Sequence, residues 1–118
     1  MIKTDRIHPL GYLIAHEINL AHLEQDKNEI AILREGSEIL ACSVEILEKS
    51  NQAGTIDIGT SEESDFFLND IDLTAKGNFK SKVETTLKDD TNLVLETTAR
   101  EGIIKIRLLY FTAGTIYS

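Results

Sequence analysis

A chain of 118 residues, 42% hydrophobic and 27% charged, has room for one globular domain with a modest core and not for two of ordinary size. Its net charge of −8 argues against holding nucleic acid by the phosphate backbone, which demands a basic face, and favours basic or neutral protein surfaces as partners. No apolar run approaches the ~18 residues that cross a bilayer and the N-terminus lacks a secretory pattern, so a soluble protein made in a cytoplasm, with no membrane partner, is expected.

In chain order, residues 1–10, with the chain's single proline at Pro9, read as a loosely packed arm. Tyr12 to Leu23 is ambiguous: Leu10, Ile14, Ile18 and Ala21 satisfy a helical face, whereas Ile14, Ile18 and Leu20 satisfy a strand face. The β character of everything downstream favours a strand. Gln25–Glu29 is a polar connection, and Ile30–Leu33 is expected to begin the main domain. The division expected is therefore an N-terminal extension over 1–29 and a β domain over 30–118. From Glu38 onward apolar residues recur with period two. Leu40, Cys42, Val44 and Ile46 fall on one face against Ile39, Ala41, Ser43 and Glu45. Phe79, Val83 and Leu87 alternate with Lys80, Lys82, Glu84 and Thr86; Leu93 and Leu95 follow; Ile104, Ile106, Leu108 and Tyr110 alternate with Lys105 and Arg107. Turn residues separate the runs at Ser50–Gly54, Lys76–Asn78, Lys88–Asp90 and Arg100–Gly102. Short strands at this spacing predict an all-β, antiparallel β-sandwich, jelly-roll-like, with an N-terminal arm, in which Val44, Ile46, Val83, Ile104, Ile106 and Leu108 point inward.

Candidate chemistry is sparse. His16 and His22 lie six residues apart, whereas a zinc-protease helix needs two histidines four apart. Asp57, Glu62, Glu63, Asp65, Asp70 and Asp72 lack the alternating pattern and central glycine of a calcium loop and read as a solvated acidic loop. Cys42, the chain's one cysteine, allows no intrachain disulfide or cysteine-based zinc site, and it falls on an apolar strand face as a packing residue. No nucleophile motif and no phosphate-binding glycine loop occurs, so no catalytic, metal or cofactor-binding residue is assigned and the expectation is a non-enzyme. Without tryptophan there is little material for stacking sugars.

The stretch Gly54–Leu73 carries a short alternating strand at Thr55–Ile58, then Gly59 and an acidic loop. The apolar cluster Phe66, Phe67 and Leu68 follows, and then a second short segment, Ile71–Leu73. This order of elements resembles a β-sandwich family of tailed-bacteriophage virion proteins, which includes capsid decoration (cement) proteins and parts of head, tail and fibre proteins. The resemblance spans roughly residues 34 to 111, about two thirds of the chain. It implies a capsid cement protein on the outer surface of the virion that binds the major capsid protein, bridges its subunits and stabilises the shell. A homo-oligomer at capsomer junctions, such as a trimer, is implied with it. The alternatives are a tail or fibre attachment domain and a carbohydrate- or receptor-binding module. The family pattern supplies no role for the N-terminal extension. Since an apolar segment cannot stay exposed without a partner, Leu10, Tyr12, Ile14, Ile18, Leu20, Phe66, Phe67, Ile116 and Tyr117 are the candidate interface residues. On this view, removing residues 1 to 24 leaves a folded domain that no longer attaches.

Overall fold

The structure, a computed structural model, describes the backbone of residues 7–115 and the side chains of residues 11–112. The chain runs through β1 (Ile7–Asn19), a 3-10 turn at Leu20–His22, β2 (Lys27–Leu33), β3 (Glu38–Glu48), β4 (Thr55–Thr60) and β5 (Leu68–Asp72). Then come β6 (Gly77–Lys80), β7 (Thr85–Thr86), β8 (Thr91–Glu96) and β9 (Ile103–Thr115). They form two antiparallel sheets. One has the order β1-β9-β3-β6 with β7 also on β3, and the other has the order β2-β8-β4-β5.

The core lies between the sheets. Ile39, Cys42, Val44, Ile46, Ile104, Ile106 and Leu108 from the first sheet pack with Leu33, Ile56, Ile58, Leu93 and Leu95 from the second. The run 104–108 follows the sequence pattern: Ile104, Ile106 and Leu108 are buried, while Lys105 and Arg107 alternate toward solvent.

Three departures from the sequence pattern have identifiable causes. In β3 the ladder to β9 shifts between Ile39 and Ala41. This bulge inverts the expected facing, burying Ile39 completely and leaving Leu40 41% exposed. The run 79–87 is not one strand. After β6 the Ser81 hydroxyl accepts from the Val83 backbone N–H at 3.0 Å, a local turn that interrupts the ladder until β7. Val83 still packs half-buried against the core.

The third departure concerns the extension. Its described part is not a separate arm: β1 pairs with β9 in unbroken register from Ile7↔Thr115 to Asn19↔Ile103. Ile18 and Leu20 are buried, and the Leu20 N–H donates to the Gly102 carbonyl at 3.0 Å. Apolar residues at period two beside an open edge of β9 are captured by the sheet, since pairing satisfies both the backbone and the inward side chains. Removal of residues 1 to 24 would therefore take core side chains and a whole edge strand with it. β9 pairs with β3 only as far as Phe111, so the last rungs, 7–10 with 112–115, form a two-stranded ribbon beyond the sheet. The molecule is accordingly elongated, 60 × 24 × 19 Å.

Candidate interaction surfaces

Two surfaces stand out. The first is the ribbon end of the sheet containing β1. On the outer face of that sheet Leu13 lies opposite Leu109, and Leu109 opposite Ala41, so one row across three strands is apolar. Leu13 is 66% exposed, and Leu40, turned out by the bulge, adds to the patch. One row further along, Gly11 faces Phe111, whose ring lies where a side chain at position 11 would stand: a Cβ there would sit 2.7 Å from the ring. On the opposite face Tyr12 stacks on Tyr110 with centroids 5.3 Å apart. Over rungs 11 to 13, next to the ribbon, the sheet is thus apolar on both faces. Toward the other end the same sheet turns polar, with Glu17 opposite Lys105 and the Arg107 guanidinium 2.9 Å from Glu45.

The second surface is the acidic loop after β4. Its backbone folds back over Gly59, where an added Cβ would lie 2.2 Å from the Glu63 carbonyl oxygen, so any side chain here must push that backbone aside. The loop is pinned by backbone bonds: Thr60 and Phe66 N–H groups donate to the Glu63 carbonyl, and Phe67 N–H donates to Ile58. The Thr91 hydroxyl donates to Glu62 at 2.9 Å, and this bond, the largest cause, holds the Glu62 carboxyl below its ordinary range. Asp72 is lowered in the same way, by the Thr74 N–H and hydroxyl. Asp57 accepts from the Asp70 N–H at 2.7 Å and fixes Asp70 with its φ of 51°. An open cavity of about 390 Å³ lies beside the loop, with Phe66 and Leu87 as apolar wall and Glu62, Glu63 and Asp89 among its polar lining.

The candidate residues separate accordingly. Ile18, Leu20 and Phe67 are core residues, and side chains with almost no accessible surface cannot anchor a partner. Ile14 is half-buried against the core, and Phe66 is half-buried and packs edge-on against Phe67 at 5.0 Å. Tyr12, 43% exposed, is available on the surface. The side chain of Leu10, and Ile116 and Tyr117 altogether, lie outside the described residues. Pattern reading missed Leu13, Leu40 and Leu109. Leu13 falls on the face opposite Ile14 and Ile18, and that parity was the signal for it.

His16 and His22 are exposed, and among the described residues no group of three or more His, Cys, Asp or Glu is placed to hold a metal. Cys42 is buried, and desolvation pushes its thiol up to about 12, so it is inert packing material at neutral pH.

No family model and no curated protein matches the sequence. Solved structures do match. A chain in the acidic stable capsid structure of Helicobacter pylori bacteriophage KHP30 superposes with a TM-score of 0.71 at 18% identity. The match covers 96% of this chain and 100% of that one. The fold is one found in phage capsid structures. A chain of the capsid asymmetric unit of cyanophage Pam1 superposes with a TM-score of 0.55 at 12% identity, over 92% of this chain and 86% of that one. The likeness includes the β1 region, which the sequence resemblance, confined to roughly residues 34 to 111, left without a role.

Proposed function

We propose that this protein is a structural component of a phage capsid. In this reading it decorates the outer surface of the shell, binds the major capsid protein and bridges neighbouring subunits as a cement protein. The observation that carries the reading is the end-to-end fold match with a chain in a phage capsid structure, with no remainder on that chain. The surfaces described above suit the task. A preorganised acidic loop presenting Glu62, Glu63, Asp65 and Asp70 draws the protein toward a basic shell surface. An elongated body with an apolar patch around Leu13 and Leu109 reaches across a seam at low mass. Each contact is small, and repetition over many copies makes attachment cooperative in effect through avidity.

The test compares particles assembled without the protein, before and after saturation with the purified chain. Added protein is expected to bind until its sites fill, and to raise the temperature at which the particles release their DNA. Particles that neither bind it nor change their rupture temperature would overturn the cement reading.

A further inference from the structure

Among the described residues the two sheets have four edges, and three are blunted against pairing with a further strand. β5 is five residues long and carries a register shift against β4 and a left-handed Asp70. β6 and β7 are four and two residues long. β2 is bulged between Glu29 and Ala31 and carries Lys27 and Glu29. The fourth edge is different. β1 runs thirteen residues with no register shift, and its only charged residue other than histidine is Glu17.

The direction of its free backbone groups follows from one bond. In an antiparallel ladder alternate pairs exchange their hydrogen bonds, and Leu20 N–H donates to Gly102 in the same register as β1. Even-numbered residues of β1 therefore bond to β9, and the N–H and C=O groups of Gly11, Leu13, Ala15 and Glu17 point away from the sheet. Pro9 shares that parity and, having no N–H, ends the usable edge without loss to the β1–β9 ladder.

We infer that this edge is an interface between two copies of the chain, in which β1 pairs antiparallel with β1 of a second copy about a two-fold axis at Leu13. In that register Leu13 faces Leu13 of the second copy, Gly11 faces Ala15, and Pro9 faces Glu17, all with outward backbone groups. The non-hydrogen-bonded pairs, where side chains approach most closely, become Tyr12 against Ile14 twice over, an aromatic–β-branched pairing favoured across strands. The apolar row Ala41–Leu109–Leu13 continues into its own symmetry mate, covering the most exposed leucine among the described residues. The one carboxylate of each paired strand does not oppose the arrangement. The two Glu17 side chains stand eight rungs apart, roughly 27 Å at strand spacing, against a screening length of about 8 Å. The pair replaces the trimer that the family resemblance implies. It concerns the free protein and does not depend on the capsid reading.

Analytical ultracentrifugation of the purified full chain should give about twice the 13.2 kDa monomer mass. Two variants leave the monomer's ladder intact. Leu13→Lys puts a charge at the axis, and Ala15→Pro removes an outward N–H. Both should keep the melting cooperativity of the wild type and weaken self-association at least tenfold. Oxidation of Leu13→Cys should trap a covalent dimer, whereas Glu17→Cys should not, because the two residues 17 lie far apart. A monomeric or trimeric wild type, a dimer unaffected by Ala15→Pro, or equal cross-linking at both positions would overturn the proposal.

Discussion

Leu20 offers the sharpest test of how the N-terminal region is built into the domain. Its side chain has no accessible surface, and its backbone N–H closes the register between β1 and β9 at Gly102. Leu20→Ala removes buried methyl groups at a site hemmed in by the positive-φ turn at Gly102, whose added Cβ would lie 3.8 Å from Leu20 Cδ1. Poor collapse around the gap places the loss in the middle of the ~2–5 kcal/mol range for buried leucines, about 3–4 kcal/mol. A domain of this size has a total stability of about 6–15 kcal/mol, so the variant should fold but with a large share of its margin gone. In urea unfolding followed by circular dichroism, the midpoint should fall by roughly 2 M with an unchanged slope. His16→Ala, exposed on the same strand, should stay within about 0.5 kcal/mol of the wild type. A loss below about 1 kcal/mol for Leu20→Ala would refute the claim that this region belongs to the core.

Three further outcomes are expected. A chain beginning at residue 25, stripped of Ile18, Leu20 and the partner of β9, should be unfolded or aggregated by circular dichroism and light scattering; a cooperatively melting monomer contradicts this. Gly59→Ala must push the Glu63–Phe66 backbone aside, costing about 1–3 kcal/mol, and should abolish the hydrogen-exchange protection of the Phe67 amide; wild-type protection would show that the loop is not anchored there. Thr91→Ala should raise the Glu62 pKa toward its ordinary value, read by NMR titration. Because a depressed carboxylate stabilises the fold above its unfolded pKa of ~4.3 and loses that contribution as pH falls through the folded value, the variant's deficit should be larger at pH 6 than near pH 2, where only pH-independent losses such as the Ser61 N–H bond to the Thr91 hydroxyl remain. An equal deficit at both pH values would assign the loss to packing instead.

The sandwich was legible from the sequence because β3 and β9, the central strands of the first sheet, are buried mainly on one face, and burial on one face imprints period two. Ile104, Ile106 and Leu108 obeyed it without exception. The pattern failed at residues 39–41 because a bulge adds one residue to the count, and nothing in Ile-Leu-Ala distinguishes which leucine or isoleucine will turn outward. It failed over 79–87 because apolar residues spaced four apart satisfy an interrupted ladder as well as a continuous one. The acidic loop was recognised as distinctive. Its cause, a backbone laid across Gly59, is a tertiary contact that no local pattern records. The interface candidates suffered from the same limit: apolar character cannot separate Leu20, wholly buried, from Leu13, mostly exposed, until the register of β1 against β9 is known.

The capsid role proposed above requires that this chain be built into phage particles. Intact particles purified to constant density can be analysed by quantitative mass spectrometry and image reconstruction. The chain is expected at a fixed, high ratio to the major capsid protein, with density for an elongated β-sandwich on the outside of the shell across subunit seams. Particles that lack the chain, or hold only a few copies of it at the tail, would contradict the account.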